Sequence, residues 1–408
     1  MKSTQPVHLN DPQVSRCPFP VYEILREQAP VYQDPATGHY VLTRYADVRQ
    51  VLMSPKVFSN QTGLSGAARK APRFCEYMAE HGWPLVETLQ NTDPPEHTLH
   101  RRLVQRAFSA PAIEALKPRI LELVDGLLDQ IIGRGETELV AAYALPLPLR
   151  TTTELLGFEQ ADEAALMRWA HALVELTAAT LSEERELALA AQLVEMQRFF
   201  VANVERVRES GEDTIIARLV HAAHEDDVAL PTVLNIISQL ITGHHSIAAG
   251  LSLGVKRLAE RQDIAARLRA EPGLIANFVE EVLRLEAPIQ VLYRRALQDV
   301  EIGEVKIAAG AIVQVRYGSA NRDPRMFAAA DDLDLGREKP MTHLAFGIGP
   351  HVCIGNQLVR SELRLSFERV LQRARAIRLT RGSSSAIDEA IYVTYGRAAL
   401  DCPIDGSL

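Results

Sequence analysis

Apolar residues recur along most of the chain at spacings of three and four, which is the period of an amphipathic helix. Residues 111–224 keep this spacing almost throughout, for example at Ile120, Leu123 and Leu127. Residues 231–262 form the longest helical run, and its middle is apolar nearly all round, which predicts a buried helix. The pattern therefore predicts a mainly helical protein.

Strand signals are short and bounded by turn residues. They are expected at residues 31–32, 40–42, 300–302, 305–306 and 312–315. Residues 55–92 show no clear period and carry several glycines and prolines. Such a long irregular stretch is typical of a functional loop. The fold class expected is mainly α with a small β-region.

Composition limits the kinds of partner. The chain has 408 residues, 47% of them hydrophobic, and a net charge of -8. This charge implies no general affinity for nucleic acid or for an anionic membrane. Residues 1–20 contain no apolar run, so neither a signal peptide nor a membrane anchor is expected. We expect a soluble, cytoplasmic, monomeric protein with an N-terminal tail at residues 1–17 and a single domain over residues 18–408.

The strongest chemical signal is the glycine-rich segment HLAFGIGPHVCIGNQLVRSE at residues 343–362. Its pattern F-G-x-G-x-H-x-C-x-G comprises Phe346, Gly347, Gly349, His351, Cys353 and Gly355. A helical stretch follows, so Cys353 precedes a helix N-terminus, where the dipole favours a thiolate. A lone cysteine is usually a small buried apolar residue. A thiolate held in a glycine-rich loop is also what an axial ligand to haem iron needs.

A second signal lies at residues 93–109, where Asp93-Pro94-Pro95 starts a helix. His97 and Arg101 are four residues apart, so both lie on one face and can clamp a carboxylate. The alternative is a solvated basic face, since other arginines are close by.

Two further clusters are weaker on their own. Glu281 and Arg284 are spaced as a helix ion pair, which is a common surface feature. Residues 243–246, Gly-His-His-Ser, lie in the centre of the apolar helix, where burial of polar groups is costly. For histidine in general, a hydrogen-bonded core pair is the usual explanation.

Together these segments resemble the cytochrome P450 family of the soluble bacterial type, over about residues 18–402. The resemblance implies the P450 fold around a buried haem b, with Cys353 bound to the iron and Phe346 packed beside it. His351 and Gly355 would belong to the same cofactor-binding loop. His97, Arg101 and Arg294 would hold the haem propionates, with Arg295 as the alternative to Arg294. Arg337 would join Glu281 and Arg284.

The central helix departs from the family pattern. Aligned on Gly243, the family's acid position is His245 and its alcohol position is Ser246. In the family this pair relays protons during oxygen activation. Ser246 keeps the hydroxyl, and His245 can carry a proton, since an unperturbed imidazole titrates near neutrality. The change makes peroxide-driven chemistry more plausible than for a standard member.

By the same resemblance, residues 55–92 roof a substrate pocket and the helices of 111–224 form its lid. The candidate pocket residues are Phe74, Leu85, Ile241, Thr242, Ile289, Gln290, Val291 and Val393. Most of these are apolar, which predicts an apolar small-molecule substrate. For Phe74, Trp83 and Leu85 in the roof, the equally weighted alternative is that they only anchor the loop to the core.

The activity implied is a monooxygenase that takes one oxygen atom from O2 for hydroxylation or O-demethylation. Electrons would come from a ferredoxin-type donor with an NAD(P)H-dependent reductase. Arg102, Arg106, Arg360 and Arg364 would form its basic docking patch. Two alternatives stay open: a peroxide-driven peroxygenase, and a haem-thiolate binding or sensing protein without turnover.

Overall fold

A computed structural model describes residues 9, 14, 17–64, 70–105, 108–132, 137–158, 162–176, 181–210 and 214–379. Val393 and Arg106, which the sequence placed in the pocket and in the docking patch, lie outside these residues. The described part is mainly helical with a small sheet region, which confirms the predicted fold class.

The helices follow one another along the chain with short connections. In chain order they are α1 (Phe19–Gln28), α2 (Tyr45–Leu52), α3 (Pro72–His81), α4 (Glu96–Gln105), α5 (Ala110–Ile132), α6 (Pro146–Leu156), α7 (Glu163–Glu175), α8 (Glu183–Ser210), α9 (Ile215–Glu225), α10 (Leu230–Thr242), α11 (His244–Glu260), α12 (Gln262–Ala270), α13 (Ile275–Glu286), α14 (Tyr317–Ala320) and α15 (Asn356–Arg373).

The strands form one mixed sheet and one separate hairpin. They are β1 (Val31–Gln33), β2 (Tyr40–Leu42), β3 (Phe58–Ser59), β4 (Val291–Ala296), β5 (Val300–Ile302), β6 (Val305–Ile307) and β7 (Ile312–Arg316). The sheet has the order β1-β2-β7-β4-β3, with β2 parallel to β7 and the other pairs antiparallel. Strands β5 and β6 pair only with each other in the described part of the chain.

Two compact units divide the chain. The first comprises the described residues within Met1–Asn60, Leu128–Val140 and Ser246–Leu408, and the second those within Gln61–Leu127 and Ala141–His245. The single domain expected over residues 18–408 stays a prediction.

In the first unit the sheet packs on α2 and α14 through branched side chains. Val48, Val313 and Val315 are fully buried there, together with Leu344 just before the glycine-rich segment. Each such side chain contributes about 1.5–3 kcal/mol on burial. The segment that carries Cys353 is therefore continuous with a packed core.

Glu281 and Arg284 of α13 are wholly buried, not solvated. The Arg284 guanidinium donates to both Glu281 carboxylate oxygens, at 2.7 and 2.9 Å. Arg337 donates from Nε to Glu281 at 2.8 Å, so it is the third member of this cluster, as expected. Arg284 also reaches the carbonyls of Asn321 and Asp332. The cluster ties α13 to the chain that leads to Cys353.

A close helix contact in the first unit depends on a glycine. A Cβ added to Gly254 of α11 would lie 2.1 Å from the Phe367 ring of α15. No other residue fits without moving the ring, so α11 and α15 approach more closely here than side chains normally permit.

In the second unit, the stretch expected to be irregular contains the ten-residue helix α3. The prediction of an irregular loop was wrong here because Pro72 at the helix start and the buried residues Phe74 and Met78 stabilise a helix against α8. A side-chain clamp joins the two. Gln197 of α8 accepts from the Trp83 amide and donates to its carbonyl, both at 2.9 Å.

The long central helix is interrupted, contrary to the prediction of one run over 231–262. Helix α10 ends at Thr242 and α11 begins at His244, with Gly243 between them. The His244 ring lies 2.7 Å from the Ile241 carbonyl oxygen and competes for it with the helix backbone. Within the described residues, no helix is long and apolar enough to cross a bilayer.

Candidate functional site

The Cys353 segment is a tight loop built on two left-handed glycines. Gly347 has φ 66° and Gly349 has φ 79°, a region that other residues rarely adopt. A Cβ on Gly349 would lie 2.8 Å from the Leu52 carbonyl oxygen. The loop closes where the Cys353 amide donates to the Phe346 carbonyl at 2.9 Å. The glycines therefore determine the position of the thiol.

Helix α15 begins three residues after Cys353. Gly355 is its N-cap residue and accepts from the Val359 amide at 3.0 Å. Asn356 donates from its side-chain amide to the Cys353 carbonyl at 2.6 Å. The half-buried thiol thus lies beside the positive end of a helix dipole, which stabilises a thiolate. His351 is also half-buried, in the turn Gly349–His351.

Arg360 and Glu280 brace this loop from one side. Glu280 of α13 accepts from the Arg360 guanidinium at 2.7 and 3.0 Å and contacts His343 Nε2 at 2.9 Å. Arg360 also lies 4.5 Å from the centroid of the Phe346 ring. Burial raises the pKa of Glu280, but its hydrogen bonds with His343 and Arg360 lower that pKa by more.

The basic docking patch expected from the sequence is not a set of free cations. Arg360 is bound to Glu280, with 18% of its side chain exposed. Arg364 pairs with Glu368 at 2.8 Å and Arg102 with Asp226 at 2.6 Å. The Arg360 side chain is directed against α13, and the docking patch stays a prediction.

Arg294 lies on β4 close to the same loop. Its side chain is buried, its Nη1 donates to the Tyr293 carbonyl at 2.7 Å, and it hydrogen-bonds the Tyr317 hydroxyl. Burial raises the pKa of Tyr317, although the Arg294 charge opposes this shift. The Tyr317 hydroxyl lies 3.7 Å from the position that a Cβ on Gly347 would take. Arg295, the alternative, is half-buried on the same strand.

In the second unit, His97 and Arg101 share one face of α4, as the spacing predicted. His97 is buried and Arg101 half-buried. Burial lowers the pKa of His97, and the neighbouring charge of Arg101 lowers it further. An anion placed between the two side chains would reverse this effect, since it would favour both cations.

A cluster of three imidazoles surrounds His245. Its ring lies 4.0 Å from His244 and stacks at 5.3 Å on the exposed His171 of α7. The ring hydrogen-bonds the Ala170 backbone, while its Nε2 has no hydrogen-bond partner in the described part of the chain. His171 was not predicted as a member of this cluster, because nothing in the sequence pattern links positions 171 and 245.

Burial keeps these histidines uncharged. Burial, with a smaller contribution from the neighbouring imidazoles, lowers the pKa of His244 to about 4 and that of His245 to about 2. The near-neutral titration of an unperturbed imidazole therefore does not apply to His245 in this environment. At neutral pH the His245 imidazole is uncharged, so one ring nitrogen can donate a hydrogen bond while the other accepts one. Ser246, the next residue, is half-buried in the first turn of α11.

The candidate pocket residues have different environments. Phe74, Ile241 and Val291 are buried, and Leu85, Thr242 and Ile289 are half-buried. The Thr242 hydroxyl donates to the Gln239 carbonyl at 2.9 Å.

The Gln290 amide nitrogen donates to the carbonyls of Glu286 and Ala287, at 2.7 and 2.9 Å. It therefore caps the end of α13, and only its Oε1 is left for another partner. Substrate contact by these residues stays a prediction.

The donor set fits a haem. In the described part of the chain, no three His, Cys, Asp or Glu side chains are grouped to hold a metal ion. A single thiolate at a helix N-terminus suits an iron whose other ligands come from a macrocycle. The buried His97 and Arg294 and the half-buried Arg101 carry N–H donors of the type that binds carboxylates.

Comparison with known proteins agrees with this chemistry. The family model described as Cytochrome P450 matches residues 230–389. Nocardicin C N-oxygenase of Nocardia uniformis subsp. tsuyamanensis is 37% identical over 346 residues, covering 83% of each chain. Mycinamicin IV hydroxylase/epoxidase of Micromonospora griseorubida is 35% identical over 367 residues, covering 88% of each.

Solved structures show the same fold. The crystal structure of CalO2 superposes with a TM-score of 0.85 at 28% identity, covering 96% of this chain and 97% of that one. P450BioI, solved in complex with an acyl carrier protein ligated to hexadec-9Z-enoic acid, gives 0.80 at 27% identity over 89% and 92%. By sequence and by fold, this chain belongs to the cytochrome P450 family and is a haem-dependent monooxygenase.

Proposed function

We propose that this monooxygenase binds haem b through Cys353 and hydroxylates or O-demethylates an apolar small molecule in the cytoplasm. A ferredoxin-type donor, reduced by an NAD(P)H-dependent reductase, would supply two electrons. The observation that carries the proposal is the Cys353 loop, in which two left-handed glycines and a helix N-terminus present one thiol. When bound, the haem would activate O2 and insert one oxygen atom, aided by electron density from the thiolate.

The protein's own residues would hold and orient this group. We assign Cys353 as the ligand to the iron. The Phe346 ring would pack beside it in the same loop. His97, Arg101 and Arg294 would together hold the two propionates by charge-assisted hydrogen bonds. A propionate beside His97 would raise the pKa of that imidazole, so His97 would become a better donor once the group is bound.

Proton delivery would depend on the break between α10 and α11. The Ser246 hydroxyl can accept one proton while it donates another, as the reaction requires. His245 would act as a neutral imidazole, with Nε2 as the ring atom that holds or releases the proton. Such an imidazole would take up a new proton more slowly than a carboxylate, because burial disfavours the charged imidazolium form.

An apolar substrate is proposed from the apolar character of Ile241, Ile289 and Val291 together with the roof residues Phe74 and Leu85. Gln290 Oε1 would be the one polar contact among them. Apolar compounds that bind should displace water and shift the iron spin state. A screen that finds shifts only with charged compounds would contradict this substrate class.

Cofactor binding is tested by colour and by carbon monoxide. Purified protein should be red, and the reduced protein with carbon monoxide should show the strongly red-shifted thiolate band. Cys353→Ala should lose that band, while Cys75→Ala, at an exposed cysteine, is the matched control and should keep it. A thiolate band that survives Cys353→Ala would refute the proposal.

Donor docking is tested by charge reversal. Arg364→Glu and Arg106→Glu should slow reduction by an acidic ferredoxin, and the loss should grow weaker as salt is raised. Unchanged reduction rates at low salt would argue against a basic docking patch.

A peroxygenase is the second candidate, and the uncharged His245 is the observation that favours it. An enzyme that receives hydrogen peroxide does not need protons delivered twice to O2. Turnover with peroxide alone, compared with ferredoxin and NAD(P)H, decides between the two. Faster product formation with peroxide than with ferredoxin and NAD(P)H would favour the peroxygenase over the ferredoxin-dependent monooxygenase.

A further inference from the structure

The Arg360 guanidinium makes four separate contacts around the Cys353 loop. It binds both oxygens of Glu280, at 2.7 and 3.0 Å, and lies 4.5 Å from the centroid of the Phe346 ring. Its Nη1 donates to Asn356 Oδ1 at 3.0 Å. A planar fork of five N–H donors can meet all of these partners at once, which an ammonium group cannot do.

These contacts reach both ends of the segment that carries the thiol. Asn356 donates to the Cys353 carbonyl at 2.6 Å, and the Cys353 amide donates to the Phe346 carbonyl at 2.9 Å. Arg360 therefore touches the side chain of one backbone partner of Cys353 and the ring of the other. A displacement of Arg360 would disturb both backbone groups of the cysteine.

Glu280 anchors the Arg360 side chain to helix α13. It lies on α13, next to the fully buried Glu281, and its carboxylate is 8% exposed. His343 Nε2, at the start of the glycine-rich segment, contacts the same carboxylate at 2.9 Å. The carboxylate thus connects the entrance of the loop, through His343, to the helix that leaves it, through Arg360.

We propose that Arg360, oriented by Glu280, is a positioning residue that holds the Cys353 sulfur in the orientation needed to bind iron. The inference rests on the proposed thiolate ligation. Arg360 has no contact with the sulfur among those described above, and it acts through Asn356 and Phe346. Loss of the brace should let the loop relax, so that the thiolate is more easily protonated or displaced.

The test compares Arg360→Gln and Arg360→Lys with wild type in the haem-loaded protein. Arg325→Gln is the matched control, since Arg325 is exposed and its ion pair is with the exposed Glu27, away from the Cys353 loop. Two quantities are measured: the rate at which the thiolate band of the reduced carbon monoxide complex is lost, and the reduction potential. Circular dichroism and thermal unfolding report whether each variant is folded.

Arg360→Gln should lose the thiolate band about tenfold faster than wild type, because charge-assisted hydrogen bonds are removed. Its potential should become more negative, since a positive charge beside the loop is lost. Arg360→Lys should give a smaller change of the same sign, and Arg325→Gln should match wild type. A purely structural role would lower the melting temperature and leave the potential unchanged.

A folded Arg360→Gln variant with the band lifetime and potential of wild type would overturn the inference. If that variant fails to fold, Asn356→Ala removes the link to the Cys353 carbonyl together with one Arg360 contact, leaves the Arg360–Glu280 pair in place, and should still shorten the band lifetime. A wild-type lifetime in Asn356→Ala would then overturn it. A wild-type protein without any thiolate band would refute the proposed function itself, which is a different result.

Discussion

The Cys353 loop and the histidine cluster of the central helix solve the burial of polar groups in opposite ways. Around the loop, Glu280 and Glu281 each bind an arginine through both carboxylate oxygens. Around His245, three imidazoles gather, and burial leaves two of them uncharged. The loop is held by strong directed bonds, and the cluster by neutral ring contacts.

We interpret the Cys353 loop as the part of the enzyme whose geometry must stay fixed, and the histidine cluster as the part whose hydrogen bonding can change. The iron ligand proposed at Cys353 would tolerate little displacement, so paired charges at close range suit its support. The proton relay proposed at His245 would need groups that change their bonding, so weaker contacts suit it better. We expect substitutions around the loop to affect folding and haem retention, and substitutions around the histidines to affect pH response and coupling.

The largest expected effect is at Glu281, whose replacement by Gln would leave the buried Arg284 without a charge partner. Breaking a buried pair costs about 3–5 kcal/mol. The free energy of unfolding should fall by that amount in urea titration, and haem should be lost at lower denaturant. Glu27→Gln, which breaks an exposed pair with Arg325, is the control and should leave the midpoint unchanged. Equal midpoints for Glu281→Gln and wild type would contradict the structural role.

The second effect is acid sensitivity from the histidine cluster. His244 and His245 have folded pKa values of about 4 and about 2, below the ordinary value of 6.5. The unfolded chain therefore binds protons first as pH falls, so stability is full above pH 6.5 and declines below it. Between pH 6.5 and pH 5 each histidine should cost about 2 kcal/mol.

Urea titrations at several pH values measure this decline. His245→Asn cannot titrate, so its stability should fall about half as steeply as that of wild type over this range. His221→Asn changes an exposed histidine and serves as the control. A slope unaffected by His245→Asn would show that the imidazole is not buried as described.

A smaller effect is expected at Gln197, which clamps Trp83 to α8. Gln197→Ala removes two hydrogen bonds and should destabilise this contact by about 1–2 kcal/mol. We expect faster amide hydrogen exchange over residues 81–85 and weaker substrate affinity, with the thiolate band unchanged. Gln239→Ala, at an amide in α10 that donates to Thr88, is the comparison. Unchanged exchange at Trp83 would show that the clamp carries no stability.

The smallest expected effect is a change in coupling, the fraction of electrons recovered in product, when His245 is replaced. The effect is small because this fraction cannot exceed one. His245→Asp restores the acid at this position and should raise the fraction of electrons recovered in product. His245→Asn is the matched variant without an acid and should not raise it. Product per NAD(P)H, measured alongside peroxide released, gives the result. Equal coupling in the Asp and Asn variants would rule out a limiting relay at this position.

Local motifs were the parts that the sequence predicted well. Cys353 and its glycines lie within ten residues of one another, and Glu281 and Arg284 lie on one turn, so their spacing alone indicated a relation. The partner of Arg360 lies 80 residues away, and the ring stacked on His245 belongs to residue 171. Such pairs depend on how helices pack, which periodicity does not specify.

The break at Gly243 shows the same limit at shorter range. The apolar pattern continues through it without change, so a single helix was predicted. What interrupts the helix is competition between the His244 ring and the backbone for the Ile241 carbonyl. Hydrophobic spacing contains no information about that competition.

The tight contact at Gly254 has a practical consequence for engineering. Libraries that diversify the central helix to accept new substrates should leave position 254 untouched, because any added carbon there would collide with the Phe367 ring. The double variant Gly254→Ala with Phe367→Leu would move side-chain volume from α15 to α11. Its substrate selectivity, compared with that of wild type, would show how far packing between these two helices affects the choice of substrate.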